Sequence, residues 1–307
     1  MKKSNKQKMM LGEFFRMQVQ KMDEAGRFAT SRNYRKTMRS FSLFLEGRDL
    51  PLSQLSDDMI IRYNRYLAGR GVARNTMSFY NRILRAAYHK AVQDGYAPEG
   101  EDPFWAVYTG VDKTPKRALD RGTLRRILSL DLSAEPELAL ARDMFLFSFY
   151  ARGMCFVDLV YLKYSNLCGN CLSYVRSKTG QRLKVKIESC MEPIMLRYRS
   201  QAFGDYVFPI IQSDDAAEAF KEYNYHLCRH NLMLKEIGRR AGTGFPLNSY
   251  AARHSWATLA READVPIAVI SEGMGHASEK TTRIYLAELD NTVVDSANRN
   301  VIGFLFQ

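Results

Sequence analysis

Residues 248–286 read NSYAARHSWATLAREADVPIAVISEGMGHASEKTTRIYL. The spacing predicts a helix over 249–262, with Asn248 or Ser249 as its N-cap. Tyr250 and Arg253 are three apart and share one face of that helix, while Trp256, Leu259 and Ala260 turn toward a core. Gly273 and Gly275 break the pattern. Ser278 can cap a second, short helix running to Leu286, which places Tyr285 near its C-terminal end. The last 60 residues as a whole read as mostly helical.

Upstream of this stretch the pattern changes. Residues 161–168, 171–178 and 182–189 alternate in hydropathy and are rich in β-branched and aromatic residues. Gly169-Asn170 and Thr179-Gly180-Gln181 supply turns between them, so a small antiparallel three-stranded sheet is expected. Helical runs precede it, from Thr123 to Leu130 and from Glu137 to Tyr150. Further upstream, apolar residues recur at helical spacing: Tyr34, Met38, Phe41 and Leu45; Ile60, Tyr63 and Leu67; Tyr80, Leu84, Ala87 and Tyr88. Thr30 or Ser31, Ser56, and Asn75 or Thr76 are the expected N-caps. The opposite faces carry Arg32, Arg35 and Arg39, then Arg62 and Arg65, then Arg82 and Arg85. Residues 96–118 mix Pro, Gly and charge and read as a linker, best placed at 106–116.

The chain has 307 residues, 45 Lys+Arg, 33 Asp+Glu and a net charge of +12. That length suits two domains: a helical one over 1–105 and a mixed α/β one over 117–307. The first 110 residues carry a charge balance of +8 and the rest +4. Three basic helical stripes in one small domain suit a phosphate-rich partner, although any single stripe would serve as a solvated face. No apolar run approaches the ~18–20 residues of a membrane span. The basic N-terminus lacks the apolar segment of a secretory signal. Five cysteines do not form an even disulfide framework, so a reducing cytoplasm is expected. Cys168 and Cys171, with His226, Cys228 and His230, match no familiar zinc-finger spacing, and Gly169-Asn170 between the first two is better explained as a hairpin turn. Cys155 and Cys190 are expected as core thiols.

Four segments occur in order: Ala151-Arg152-Gly153-Met154 followed by Asp158-Leu159; Ser177-Lys178-Thr179-Gly180; Tyr250-Ala251-Ala252-Arg253-His254; and Gly275-His276 followed by Thr281-Thr282 and Tyr285. Together they resemble the tyrosine recombinases, the phage-integrase family. The resemblance covers most of the chain. It implies a mainly α protein, with a helical core-binding (SAM-like) N-terminal domain. A mixed α/β catalytic domain of the DNA breaking-rejoining enzyme fold would follow.

The resemblance also implies roles. Arg152 and Arg253 would clamp the scissile phosphate, since guanidinium forks match phosphate oxygens. Tyr285 would attack the phosphorus and form a 3′-phosphotyrosyl link. Lys178 would protonate the departing 5′ oxygen and His276 would hydrogen-bond the phosphate. Transesterification conserves the bond energy, so neither a metal nor a nucleotide cofactor is implied. Tyr250 stands where the family usually has His. A phenol with a pKa of about 10 is a poor base near neutrality but still donates a hydrogen bond, so Tyr250 is assigned to phosphate binding or positioning. Asp158 is expected as a buried acid supporting the Arg cluster, and His254 as a structural hydrogen-bonding group.

The implied partners are double-stranded DNA, contacted in part by the N-terminal Arg set, and further copies of the chain in a homotetramer on paired sites. Host or element accessory proteins belong to the same picture. The apolar end Val301-Ile302-Gly303-Phe304-Leu305-Phe306 would dock into a neighbouring protomer. A DNA-binding accessory protein of the same fold that has lost cleavage is the alternative, with Tyr250 in its favour. A type IB topoisomerase is a third, disfavoured by the integrase-like segments.

Overall fold

The computed structural model describes residues 9–114, 117–276, 278–283, 298–299 and 302. It divides into two compact units, 1–114 and 115–307. Among the described residues no helix is long and apolar enough to cross a membrane.

Unit 1 is helical: α1 (Leu11–Glu24), α2 (Phe28–Phe44), α3 (Asp57–Gly69) and α4 (Arg74–Gln93). Each buries one stripe. α3 sends in Ile60, Tyr63 and Leu67, which meet Phe14, Phe15 and Phe41 from α1 and α2. Ser56 caps α3 as expected, its side chain accepting from Met59 N. The other two expected caps are displaced. α2 begins at Phe28, so Ser31 lies inside the helix and is buried. α4 begins at Arg74, and Asn75 instead clamps a later segment: its Oδ1 accepts from Asp112 N at 2.8 Å and its Nδ2 donates to Asp112 O at 3.1 Å. Ser78 and Asn81 hold Gly110 O and Tyr108 O in the same way, so residues 108–112 lie strapped along α4.

Unit 2 is built on α6 (Pro136–Tyr150), which follows α5 (Arg121–Leu128). α6 is apolar on nearly every side, the pattern of a helix surrounded by its domain. Its one buried acid, Asp143, is held by Arg142, Arg197 and Tyr198. After α7 (Phe156–Val160) come the strands β1 (Leu167–Cys168), β2 (Cys171–Val175) and β3 (Arg182–Lys186), antiparallel in that order. Leu172 pairs with Val185 and Tyr174 with Leu183, and these four side chains form the buried face. The first strand is shorter than expected. Tyr164–Asn166 turns as a 3-10 segment because Asn166 Oδ1 accepts from Lys163 N. Cys190 is exposed rather than a core thiol. Then follow α8 (Glu192–Tyr198), α9 (Ala216–Arg240), α10 (Ser249–Glu262), α11 (Ile267–Gly273) and α12 (Glu279–Arg283). α10 shares the core of α6 through Ala251 and Ala252, while Ala257 packs with Ile270 and Met274 of the α11 segment.

Candidate active site

The site lies where α6 and α11 end and α10 begins, near the β2–β3 turn. α6 terminates at Ala151, and the next two residues are left-handed: Arg152 at φ 60° and Gly153 at φ 72°. Gly153 N bonds back to Ser148 O at 2.8 Å. A residue in this conformation after a helix is ordinarily glycine, so Arg152 carries backbone strain at its post. Its half-buried side chain runs past α11, with Cδ 3.6 Å from where a Cβ on Gly273 would stand. Its Nη1 lies 3.5 Å from Lys184 O, a contact too long to hold the guanidinium tightly. Gly153 is required for a second reason. A Cβ there would sit 2.7 Å from Arg253 Cα, so α10 lies directly against the exit of α6.

Arg253 is on the inner face of α10 and only 3% exposed. Nη1 donates to Gly153 O at 2.7 Å and Nη2 to Met274 O at 2.6 Å. The second acceptor belongs to the C-terminus of α11, where unsatisfied carbonyls and the helix dipole favour a cation. α11 stops because Gly275 is left-handed, at φ 65°. His276 N then bonds Ser271 O at 3.0 Å and Gly275 N bonds Glu272 O at 2.9 Å, a Schellman closure. This turn directs His276 inward. Its Nε2 is 2.9 Å from Arg253 Nη2 and its Nδ1 is 2.8 Å from Thr282 Oγ1 on α12.

Lys178 is exposed on the turn after β2. The turn is framed by Arg176, whose N bonds Gln181 O and whose O accepts from Gly180 N, both at 2.8 Å. Asp158 is buried, but its contact differs from the expected one. Its Oδ1 accepts from Ser177 N at 2.8 Å, so the carboxylate anchors the turn that carries Lys178. Arg176 itself is 2% exposed and donates from Nη1 to Gly275 O at 2.5 Å. Burial, together with the charges of Arg253, Arg176 and Lys178, pushes the His276 imidazole from 6.5 down to about 3. His276 is therefore neutral at physiological pH.

Arg253 and His276 are in direct contact, Arg152 adjoins them through Gly153, and Lys178 is near enough to act on His276 electrostatically. Tyr250 is in the first turn of α10, 54% exposed, with its N bonded to the Asn248 cap at 3.0 Å. Tyr285 and the apolar tail 301–306, Ile302 apart, lie outside the described residues. In unit 1, Arg35 is paired with Asp23, Arg62 with Asp58 at 3.1 Å and Arg85 with Asp102 at 2.7 Å. Arg39, Arg65 and Arg82 are exposed, and Arg32 is half-buried. Among the described residues no three His, Cys, Asp or Glu side chains gather to hold a metal ion. Arg176 is a site group outside the four segments, while Thr282 lies in the fourth of them and gains here its role as the partner of His276 Nδ1. The signal for Arg176 is its parity, since Leu172, Tyr174 and Arg176 alternate on the inward face of β2.

Residues 119–292 match the family model for the phage integrase family, and residues 10–106 match that for the phage integrase SAM-like domain. The chain belongs to the phage integrase family, the tyrosine recombinases. It is 24% identical over 272 residues to tyrosine recombinase XerD of Listeria monocytogenes, covering 83% of this chain and 86% of that protein. It is 41% identical over 76 residues to tyrosine recombinase XerA of Pyrococcus furiosus, 23% of this chain and 26% of that protein. Among solved structures, a lambda integrase dimer bound to a COC' core site has the same fold, with a TM-score of 0.62 and 15% identity, over 92% of this chain and 98% of that one. The Tn1549 transposon integrase in complex with transposon right end DNA gives 0.63 and 14%, over 96% and 100%.

Proposed function

We propose that this recombinase cuts and rejoins specific DNA sites through a 3′-phosphotyrosyl intermediate on Tyr285, without metal or nucleotide cofactor. The Tyr285 oxygen attacks the phosphorus as its phenolic proton passes to solvent water, the bond to the 5′ oxygen breaks, and Lys178 gives that oxygen its proton. Arg253 and Arg152 hold the non-bridging oxygens, His276 hydrogen-bonds the phosphate, and Tyr250 assists in binding it. The reverse attack by a 5′ hydroxyl from a partner strand restores the phosphodiester and frees Tyr285. The observation that carries this reading is the Arg253–His276–Thr282 hydrogen-bonded chain beside the Lys178 turn. It concentrates positive charge where a single phosphate would be handled.

Double-stranded DNA is the proposed substrate, with the unit 1 arginines Arg32, Arg35, Arg39, Arg62, Arg65, Arg82 and Arg85 on phosphates. Pairing of two sites in a homotetramer is proposed in parallel with a lambda integrase tetramer bound to a Holliday junction, which shares the fold. The apolar tail would dock between protomers, accessory proteins would select the outcome, and the reaction would take place in a bacterial cytoplasm. The second reading, a DNA-binding accessory protein, is favoured by Tyr250 in place of His. A nicked suicide substrate bearing the protein's site distinguishes the two. With metal chelated, a denaturant-resistant protein–DNA adduct is expected from the wild type and not from Tyr285→Phe. Bound DNA with no adduct favours the accessory reading, and an adduct that survives in Tyr285→Phe removes the nucleophile assignment.

A further inference from the structure

Arg176 is a buried cation for which the chemistry above has no use. The residue is 2% exposed, with Nη1 on Gly275 O and Nη2 4.0 Å from Cys155 Sγ. Nε is buried without an acceptor, and among the described residues no carboxylate pairs with the group. A buried positive charge without a directly paired carboxylate is costly, and an unsatisfied buried donor on it calls for a partner. Its backbone frames the Lys178 turn while its side chain grips the carbonyl just before His276.

We infer that Arg176 is a positioning residue that ties the Lys178 turn to the His276 turn and holds a buried positive charge that an incoming phosphate compensates. The inference rests on the proposed reading that this cluster receives a phosphate. Its consequence is a coupling. In the free protein Arg176 joins Arg253 and Lys178 in keeping His276 neutral, while Thr282 on α12 accepts the Nδ1 proton. The remaining groups around Arg176 are the Cys155 thiol, the Tyr174 phenol and Asp158, which is engaged with Ser177 N. When a phosphate enters, its negative charge offsets the three cations and His276 gains proton affinity. The imidazole would then become a donor at the moment a donor is needed.

The test follows the His276 ring nitrogens by NMR in the full chain, assigned with His276→Gln, with inorganic phosphate as the probe. Arg176→Gln keeps an N–H for Gly275 O and removes the charge; Arg176→Lys keeps the charge. In the wild type His276 is expected to remain the Nδ1-protonated neutral form down to about pH 5, and phosphate is expected to raise its proton affinity roughly tenfold. Arg176→Gln should raise that affinity about tenfold without phosphate, and Arg176→Lys should restore the wild-type titration. A folded Gln variant that titrates like the wild type overturns the inference. Should the Gln variant not fold, the wild type decides alone, and a His276 titration indifferent to phosphate overturns it. Since no DNA is used, this outcome is separate from the adduct assay that judges the phosphotyrosyl reading.

Discussion

Arg253 Nη2 and His276 Nε2 share a hydrogen bond of 2.9 Å. A guanidinium has donors and no acceptor, so Nε2 must be the bare nitrogen of the ring. The proton then resides on Nδ1 and goes to Thr282 Oγ1. Two residues of the candidate site thus fix each other's state: Arg253 selects the tautomer, and the tautomer leaves Arg253 a partner while no phosphate is present. A phosphate competing for Arg253 would break that bond and release His276 to take a second proton.

Stability should depend on pH through this pair. The His276 and His230 imidazoles are both pushed down to about 3, His230 by its burial, where it stacks on Phe156. Unfolded, each returns to about 6.5. Above pH 6.5 neither state binds the proton. Below it the unfolded chain takes up protons that the folded one refuses, so stability falls as pH drops from 6.5 toward 3. Carboxylates titrate lower, so the interval from pH 6.5 to 5 belongs to the histidines. The melting temperature should fall across that interval, and His276→Gln should flatten part of the slope. A wild-type melting temperature constant from pH 7.5 to 5 contradicts the assignment.

Arg152 is held at φ 60° in a post that suits glycine. Left-handed backbone costs a non-glycine residue about 1 kcal/mol. Arg152→Gly should therefore keep or raise stability, by up to about 1 kcal/mol, while abolishing the DNA adduct. Arg152→Ala should lose the adduct with no gain in stability, because its Cβ retains the strain. Equilibrium denaturation beside the adduct assay measures both. Destabilisation by the glycine variant would mean that the guanidinium supports the fold.

These contrasts mark what a sequence can express. The helix over 249–262 was legible because its cap, Asn248, and its inward residues are local patterns, and the turn at Gly275 was legible for the same reason. The four segments made Arg253 and His276 legible as a set. Arg176 was not, because Lys and Arg on a short strand look solvated until parity is counted against buried Leu172 and Tyr174. The strain at Arg152 was hidden by the glycine after it, which reads as the helix stop by itself. Asp158 was legible as buried, but its partner, a backbone N–H nineteen residues along the chain, depends on tertiary placement. Ser31 resembles a cap and is buried within α2, because that helix starts three residues earlier, at Phe28.

Thr282 should matter beyond its size. Its side chain is fully buried and its hydroxyl is the partner of His276 Nδ1. Thr282→Val preserves shape and removes the acceptor, leaving a buried N–H unsatisfied at a cost of about 1–3 kcal/mol. The ring also loses the hydrogen bond that fixes its orientation on the Nδ1 side, so single-turnover cleavage should slow roughly tenfold. Thr282→Ser should recover most of the rate. A valine variant that cleaves at the wild-type rate would show that His276 needs no support from α12.

Gly153 and Gly180 separate conformation from crowding. Both are left-handed, at φ 72° and 70°. Around Gly180 nothing lies within 4 Å of an added Cβ, whereas at Gly153 that atom would meet Arg253 Cα at 2.7 Å and its Cβ and Cγ at 2.9 Å. Gly180→Ala should cost only the backbone term, about 1 kcal/mol. Gly153→Ala must also push α10 from the exit of α6, with the Gly153 O–Arg253 bond at stake, and should cost more than about 2 kcal/mol. Moving Arg253 by even a fraction of an ångström displaces the phosphate clamp relative to His276. Cleavage should therefore be lost in Gly153→Ala even at temperatures where the variant stays folded, and largely kept in Gly180→Ala. Paired melts and adduct yields decide it: equal losses from the two alanines would mean that the close approach of α10 to the α6 exit is not what holds the site together.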